Sequence, residues 1–158
     1  MNIVLEGPDG AGKSTLANRL LQHLPLTLQQ GEGPPKFPGE MTERVKRYLA
    51  MDGKLFDRHP CISQPIYDMF RDKKTPIPGD LIDEFYEQGN LLIYVYGRAG
   101  PHEVKDHETK EHVEMVERHD DTIRNAYEEW ALGYAYIRYS VDTINFDTIL
   151  KLCQEYLS

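Results

Sequence analysis

The feature that most constrains this chain is the stretch GPDGAGKS at residues 7–14, which fits the pattern G-x-x-x-x-G-K-[S/T]. The stretch follows a continuous apolar run at residues 3–5 and precedes apolar residues that recur at helical spacing from Leu16 to Leu24. Glycines let successive backbone N–H groups converge on an anion, and the following helix points its positive end at the same anion. The sequence therefore predicts a phosphate-binding loop between a buried strand and a helix.

Two residues of this loop have specific predicted roles. In loops of this pattern the lysine, here Lys13, reaches the β and γ phosphates of a nucleoside triphosphate, and the hydroxyl of the next residue, Ser14, is a ligand of Mg²⁺. ATP and Mg²⁺ are accordingly the cofactors that the sequence predicts. The residues expected to bind ATP are Gly7, Asp9, Gly10, Ala11, Gly12, Lys13, Ser14 and Thr15.

The class of phosphate-binding protein is narrowed by motifs that the sequence lacks. The N-K-x-D motif of G proteins is absent, and so is the L-S-G-G-Q motif of ABC-type transporter ATPases. The loop also begins at residue 7 of a chain of only 158 residues. A kinase of small molecules is therefore the favoured class, and a non-catalytic nucleotide-binding regulator is the alternative from a different class.

Strand and helix patterns alternate along the chain, which indicates β-α-β units around a parallel sheet. We expect a single domain over residues 1–158 with the three-layer α/β/α arrangement of P-loop NTPases and a central parallel sheet of about five strands. A short helix is expected to follow Gln64, with Pro65 in its first turn. The segment 98–110 has many charges and little apolar periodicity, and it is predicted to be a mobile, lid-like surface segment.

Composition and charge argue against several functions. The chain has 18 basic and 26 acidic side chains and a formal net charge of −8, which argues against tight binding of duplex DNA and leaves nucleic acid open only as a substrate. No apolar run approaches the roughly 20 residues of a membrane span. Cys61 and Cys153 form no C-x-x-C pair and are expected to be buried thiols. These features together predict a cytoplasmic protein that does not bind membranes.

A second polar cluster, Asp57-Arg58, ends a short strand pattern. The forked Arg58 guanidinium suits phosphate oxygens, and the Asp57 carboxylate is a candidate ligand of Mg²⁺ and a candidate general base if the acceptor is a hydroxyl. An acceptor phosphate that is already ionised needs no base. Arg98 follows the clearest strand pattern at the edge where parallel sheets bind ligands, and it completes the predicted catalytic set with Lys13. Each of these residues also has a simpler interpretation. Asp57 could cap the following turn, Arg58 could form a surface ion pair with Asp57, and Arg98 could be a solvated loop arginine.

These residues resemble those of a known family. The run EGPDGAGKST at residues 6–15 is similar to the phosphate-binding loop of thymidylate kinase and related nucleoside and nucleotide kinases, including small bacteriophage deoxynucleoside monophosphate kinases. The segment DRH at residues 57–59, followed by Ser63 and Tyr67, resembles the D-R-[Y/F/H] motif of that family and the polar positions after it. The resemblance extends to the order of elements over most of the chain.

The resemblance implies roles for the matched positions. Asp57 would lie near Mg²⁺ and the reacting phosphates, and Arg58 would hold phosphate oxygens. Asp9 would hydrogen-bond a deoxyribose hydroxyl of the acceptor. The loop at residues 141–145 resembles the segment that borders the adenine of the donor.

The same resemblance implies a lid. Gly10 stands where one subgroup of thymidylate kinases carries an arginine, so this chain resembles the subgroup in which the lid supplies the cation. The candidate lid is the segment 98–110. Its cations are Arg98, Lys105 and Lys110.

The acceptor is where the sequence departs from the family. Thymidylate kinases carry R-E-P-G-G-T after their second strand, whereas this chain has GEGPP at residues 31–35 and no arginine there. The favoured acceptor is a deoxynucleoside monophosphate, either thymidylate-like or a modified pyrimidine. The alternative is a hydroxyl acceptor, such as a deoxynucleoside or 5-hydroxymethyluracil in phage DNA. A homodimer is an open alternative, because related kinases are often dimers.

Aromatic side chains complete the predicted acceptor site. Tyr67 and Phe70 follow the DRH segment and are the candidates to stack on the acceptor base, although an aromatic residue is more often part of the core. The predicted acceptor-binding set is Asp9, Arg58, Tyr67 and Phe70.

Histidines and tyrosines of the C-terminal half are assigned no chemistry. The histidines are not spaced i, i+4 as in a zinc-binding helix, so they are expected to be solvated surface residues. They are His102, His107, His112 and His119. The tyrosines near the last strand pattern are expected to pack on the sheet. They are Tyr134, Tyr136 and Tyr139.

Overall fold

The structure of the protein is a computed structural model that describes residues 1–97 and 108–158. The strands in these ranges are β1 (Ile3–Glu6), β2 (Thr27–Gln30), β3 (Lys54–Asp57), β4 (Leu91–Val95) and β5 (Ile137–Tyr139). The helices in the same ranges are α1 (Lys13–Leu21), α2 (Glu40–Leu49), α3 (Pro60–Asp68), α4 (Gly79–Glu87), α5 (Lys110–Tyr134) and α6 (Phe146–Leu157). Two helices lie between β3 and β4, and one helix follows each of β1, β2, β4 and β5.

The strands form a parallel sheet in the order β2-β3-β1-β4-β5. Strand β1 is central, because Ile3 pairs with Leu55 of β3 on one side and with Leu91 of β4 on the other. Its side chains are fully buried, including the carboxylate of Glu6. A strand covered on both faces has the continuous apolar run that the sequence showed at residues 3–5.

Helices cover both faces of the sheet. Side chains of a strand alternate between its faces, so Val4 packs with α2, α3, α4 and α5 in one core cluster. Its neighbours Ile3 and Leu5 pack with α1 and α6 in a second cluster. The predicted three-layer α/β/α arrangement with five parallel strands is therefore confirmed. None of the helices in the described ranges combines the length and the apolar character that crossing a bilayer requires.

Helix α3 begins earlier than predicted. It starts at Pro60 and not after Gln64, because Pro60 occupies the first turn, where the missing N–H is not needed. The His59 side chain caps this end, and its Nδ1 accepts the Cys61 backbone N–H at 3.2 Å. Pro65 consequently lies inside the helix, which the sequence did not predict.

The tyrosines before the last strand also differ from expectation. Tyr134 and Tyr136 are 55% and 80% exposed, so the predicted packing on the sheet is wrong for these two residues. Strand β5 is only three residues long and begins after them. Tyr139 is buried within β5, as predicted. The thiols of Cys61 and Cys153 are buried, also as predicted.

Most of the predicted lid lies outside the described residues. This applies to the candidate cations Arg98 and Lys105 and to the histidines His102 and His107. Lys110 is described: it is the first residue of α5, is highly exposed, and lies 3.8 Å from the Glu114 carboxylate.

The main chain at Gly7, just after β1, lies so close to β4 that a side chain does not fit there. A Cβ at Gly7 would lie 2.0 Å from the Val95 carbonyl oxygen, which is main chain and cannot rotate away. We expect Gly7→Ala to lower the free energy of unfolding by at least about 2 kcal/mol in urea titrations. The control is Gly133→Ala in α5, where a Cβ meets nothing within 4 Å and a helical alanine should be neutral or stabilising by up to about 1 kcal/mol. Equal stabilities of the two variants would contradict this description of the β1–β4 junction.

Candidate functional site

The two polar clusters predicted by the sequence meet at one edge of the sheet. Strands β1 and β3 are parallel neighbours, so their carboxyl ends lie side by side. Leu5 of β1 is opposite Asp57 of β3, and the Arg58 backbone N–H donates to the Leu5 carbonyl at 3.0 Å. The loop that follows β1 and the Asp57-Arg58 pair that ends β3 therefore form one site.

The glycine-rich loop at residues 7–12 has the backbone that its sequence predicts. Gly10 and Gly12 have φ values of 79° and 93°, which favour glycine, and α1 begins directly at Lys13. The buried Lys13 amine donates to the Pro8 carbonyl at 2.9 Å. Burial lowers the pKa of Lys13 to about 8. An anion bound in this loop would supply the negative charge that a buried ammonium group needs.

Oxygen donors suited to Mg²⁺ lie beside the loop. The Ser14 hydroxyl donates to the Asp57 carboxylate at 2.8 Å, so that the two predicted metal ligands are adjacent. Magnesium bound together with phosphates commonly takes one or two protein oxygens and keeps several waters, which this pair fits. Across residues 1–97 and 108–158, no group of three or more His, Cys, Asp or Glu residues could form a metal site by itself. The arrangement suits a metal ion that arrives with phosphates.

Arg58 is held in place from several directions. Its backbone φ of 76° is uncommon for a residue other than glycine and costs about 1 kcal/mol. Its Nη2 donates to the Asp9 carboxylate at 2.6 Å, and its Nη1 donates to the Tyr127 hydroxyl at 2.9 Å. The guanidinium also lies 5.1 Å from the centre of the Tyr67 ring. The predicted phosphate-binding arginine is therefore fixed at the junction of β1, β3 and α5.

A buried carboxylate that the sequence did not single out, Glu6, supports this arginine. One oxygen of Glu6 accepts the Tyr127 hydroxyl at 2.8 Å, and the other accepts the His59 backbone N–H at 2.7 Å. Burial raises the pKa of Glu6, and the Arg58 cation at 3.9 Å opposes that rise. An acidic residue at the end of the apolar run 3–5 was the signal that could have identified Glu6.

Next to Arg58 lies a cleft lined by residues of the glycine-rich loop, α2, α3 and α5. Three arginines from three different segments line it, namely Arg44, Arg58 and Arg71. The acidic residues Asp9, Glu32, Asp57 and Glu108 also line it. The cleft thus combines three arginines with four carboxylates, so it is strongly polar, and its guanidinium groups are the candidates to contact an anionic ligand.

Arg44 is a cleft residue that the sequence did not predict. Its side chain is only 6% exposed, and Nη1 donates to the Gly33 carbonyl at 2.5 Å. Its Nε is buried and makes no hydrogen bond to the described residues, and the Glu32 carboxylate lies 4.0 Å from it. Arg44 lies on the buried face of α2 with Met41, Val45 and Tyr48, and a charge within that apolar pattern was the available signal.

His112 also lines the cleft, and the prediction that it is a solvated surface residue is wrong. Its side chain is 16% exposed, and its ring centre lies 5.4 Å from that of Tyr67. The Arg71 Nη2 lies 3.1 Å from the Nδ1 of His112. Because arginine can only donate, this Nδ1 accepts, and a histidine that accepts at Nδ1 is neutral. Burial and the Arg71 charge lower the pKa of His112 to about 4.

The predicted acceptor set is brought together in part. Asp9, Arg58 and Tyr67 line the cleft. Phe70 does not line it: its half-buried ring stacks on His119, with the ring centres 5.1 Å apart. Phe70 therefore belongs to the packing of α3 against α5, at the point where His119 interrupts the helical backbone of α5.

Comparison with known proteins gives relatives by structure only. No protein-family model matches this chain, and no curated protein matches it. The YorR protein from Bacillus subtilis, solved in complex with phosphorylated GDP, superposes with a TM-score of 0.69 at 19% identity, covering 99% of this chain and 95% of that chain.

Two kinases superpose over a similar extent. Deoxyadenosine kinase from M. mycoides with bound dATP gives a TM-score of 0.53 at 16% identity, covering 99% of each chain. Shikimate kinase from Acinetobacter baumannii in complex with shikimate gives 0.51 at 15% identity, covering 99% of this chain and 92% of that chain. The likeness shows the fold: this chain has the P-loop kinase fold over almost its whole length.

The hydrogen bonds of Tyr127 can be tested by stability. Tyr127→Phe leaves the buried Glu6 carboxylate and the Arg58 Nη1 each without one partner. We expect the free energy of unfolding to fall by about 1–3 kcal/mol in urea titrations. Tyr136→Phe, at an 80% exposed hydroxyl-bearing ring, is the control and should change it by less than about 0.5 kcal/mol. A Tyr127→Phe protein as stable as this control would show that the network contributes little.

The neutral state of His112 predicts a pH dependence of stability. Its pKa is about 4 in the folded protein and 6.5 ordinarily, so between these values the unfolded chain binds a proton that the folded protein does not. Stability should therefore fall as the pH drops from about 6.5 towards about 4. Between pH 7.5 and 4.5 we expect the wild type to lose on the order of 1–2 kcal/mol more than His112→Gln in urea unfolding. Parallel curves for the two proteins would contradict the assignment.

Proposed function

We propose that this protein is an Mg²⁺-dependent kinase that transfers the γ-phosphoryl group of ATP to a deoxynucleoside monophosphate. The observation that supports this most directly concerns Arg58, which pairs with Asp9 of the glycine-rich loop and also lines the cleft. A cation between a phosphate-binding loop and a second anion-binding cleft can contact oxygens of both donor and acceptor. That is the arrangement that in-line transfer of a phosphoryl group requires.

On the donor side, the loop amides and Lys13 would bind the triphosphate of ATP. The Lys13 amine is already held beside the loop by the Pro8 carbonyl, so only a short movement of a side-chain nitrogen is needed. Mg²⁺ bound by Ser14 and Asp57 would neutralise charge on the phosphate oxygens. The deoxyadenosine kinase that superposes on this chain has bound dATP, which supports a nucleoside triphosphate as the ligand of this fold.

On the acceptor side, the cleft favours a substrate that carries a phosphate. Arg44, Arg58 and Arg71 line it, and the buried Nε of Arg44 has no hydrogen-bond partner among the residues described. A phosphate oxygen would satisfy this donor, and a neutral nucleoside offers fewer oxygens to three arginines. Arg44 would thus replace the arginine that the sequence lacks after its second strand.

The carboxylates of the cleft support the same acceptor. Transfer to a hydroxyl needs a carboxylate base, whereas Asp57 accepts from the Ser14 hydroxyl at 2.8 Å and Asp9 pairs with the Arg58 cation at 2.6 Å, and such contacts favour an ionised carboxylate over a protonated one. Glu32 accepts from the Tyr48 hydroxyl at 2.7 Å. Burial raises the pKa of Glu32, but hydrogen bonds from Tyr48 and Arg47 lower it, and the pKa lies below its ordinary value. An ionised phosphate acceptor needs none of these groups as a base.

The rest of the acceptor would be bound by residues that the resemblance singled out. Asp9 would hydrogen-bond a deoxyribose hydroxyl, and the buried ring of Tyr67 would contact the base. In the transfer itself, an acceptor phosphate oxygen forms a bond to the γ-phosphorus as the bond to the ADP oxygen breaks. Arg58 and Lys13 would stabilise the charge on the transferring group, and no proton has to move.

The experiment that tests this proposal is phosphoryl transfer from γ-labelled ATP with Mg²⁺ to a panel of acceptors. The panel contains deoxynucleoside monophosphates, deoxynucleosides and an oligonucleotide that contains 5-hydroxymethyluracil. We expect label in a deoxynucleoside diphosphate and none with Lys13→Ala. Arg44→Gln should raise the KM for the acceptor by about tenfold or more, since a charged hydrogen bond is lost, and leave the KM for ATP nearly unchanged.

The matched control is Arg47→Gln on the same helix, whose guanidinium is half exposed and does not line the cleft. It should change neither KM by more than about twofold, as expected for an exposed ion pair. Label in a nucleoside or in the oligonucleotide would overturn the monophosphate assignment in favour of a hydroxyl acceptor. ATP binding without transfer to any acceptor would favour a non-catalytic regulator.

A further inference from the structure

Arg124 of α5 contacts the glycine-rich loop although it does not line the cleft. Its Nη2 donates to the Asp9 carbonyl at 2.7 Å, and its Nη1 donates to the Gly97 carbonyl at 2.7 Å. Its Nε lies 3.2 Å and 3.3 Å from the two carboxylate oxygens of Asp120, one turn earlier on the helix. All three nitrogens of this guanidinium are thus engaged, and two of them hold main-chain carbonyls.

The hydrogen bond to Asp9 fixes a particular peptide of the loop. In a planar trans peptide the C=O and the N–H point in opposite directions, so holding the Asp9 carbonyl towards α5 turns the Gly10 N–H away from α5. Gly10 has a φ of 79° and no Cβ to resist rotation of this peptide. A rotated peptide would present a carbonyl oxygen where a phosphate-binding loop needs an N–H group.

We propose that Arg124 is a positioning residue of the phosphate-binding loop, which keeps the Gly10 N–H available to the triphosphate by holding the Asp9 carbonyl. This inference rests on the proposed function, because it assigns Arg124 to the donor side of that reaction. The Asp9 side chain does not depend on this contact, because its carboxylate also pairs with Arg58 at 2.6 Å and keeps that pair when Arg124 is removed.

Two other roles fit Arg124 less well. A cation that stabilises the transferring phosphoryl group must direct its donors at that group, whereas Arg124 does not line the cleft and directs its Nη1 and Nη2 at main-chain carbonyls. A purely structural tie between α5 and the end of β4 would need only the bond to Gly97. The second bond, to the loop itself, is the one that a positioning role requires.

The test is a comparison of Arg124→Lys and Arg124→Ala with wild type. Lysine keeps the charge but cannot hold two carbonyls in the forked geometry of arginine. We expect both variants to raise the KM for ATP, and the Kd of a non-hydrolysable ATP analogue in calorimetry, by about tenfold to a hundredfold, the loss of a charge-assisted hydrogen bond. The KM for the acceptor should change by less than about threefold. Millimolar guanidinium should partly restore Arg124→Ala and should not affect Arg124→Lys.

The matched control is Arg118→Ala, an exposed arginine on the same helix, which should behave as wild type. Unchanged ATP affinity in both Arg124 variants would overturn the inference. So would an equal rise of both KM values together with a large drop in the unfolding temperature, because that pattern indicates a structural tie. If the wild type transfers no phosphate, the proposed function fails, and the calorimetric Kd alone decides the role of Arg124 by the same criterion.

Discussion

The 2.6 Å contact between the Arg58 guanidinium and the Asp9 carboxylate joins the two loops from which the site is built. Asp9 belongs to the glycine-rich loop after β1, and Arg58 follows the last residue of β3. Because β1 and β3 are adjacent parallel strands, the two loops leave the same edge of the sheet. The cleft, the predicted metal ligands and the support from α5 all depend on this geometry.

The site contains several charges that have been removed from water. Burial raises the pKa of Glu6 and lowers the pKa of Lys13 to about 8, which shows that each charged form is disfavoured where it lies. Arg58 in turn adopts a backbone conformation that residues other than glycine rarely adopt. Hydrogen bonds such as that from Tyr127 to Glu6 offset part of this cost. A polyanionic ligand would offset more, because it supplies negative charge beside buried cations.

The fold, the glycine-rich loop and the Asp57-Arg58 pair were predictable because their signals are local. A glycine-rich loop between an apolar run and a helix is read from consecutive residues, and Asp57-Arg58 is marked by its position after a strand pattern. Part of the cleft lining was not predictable, since Arg44 and His112 come from helices whose packing around the cleft has no local signature. Tyr127 and Glu6, which share a hydrogen bond, lie 121 positions apart in the sequence, so this contact also has no local signal.

The most direct test of this account is a crystal structure with Mg²⁺ and a non-hydrolysable ATP analogue. The account predicts that the β and γ phosphates lie on the backbone N–H groups of residues 10–14. It also predicts that the Lys13 amine has left the Pro8 carbonyl for a phosphate oxygen. A crystal in which the analogue binds elsewhere, while Lys13 still donates to Pro8, would contradict it.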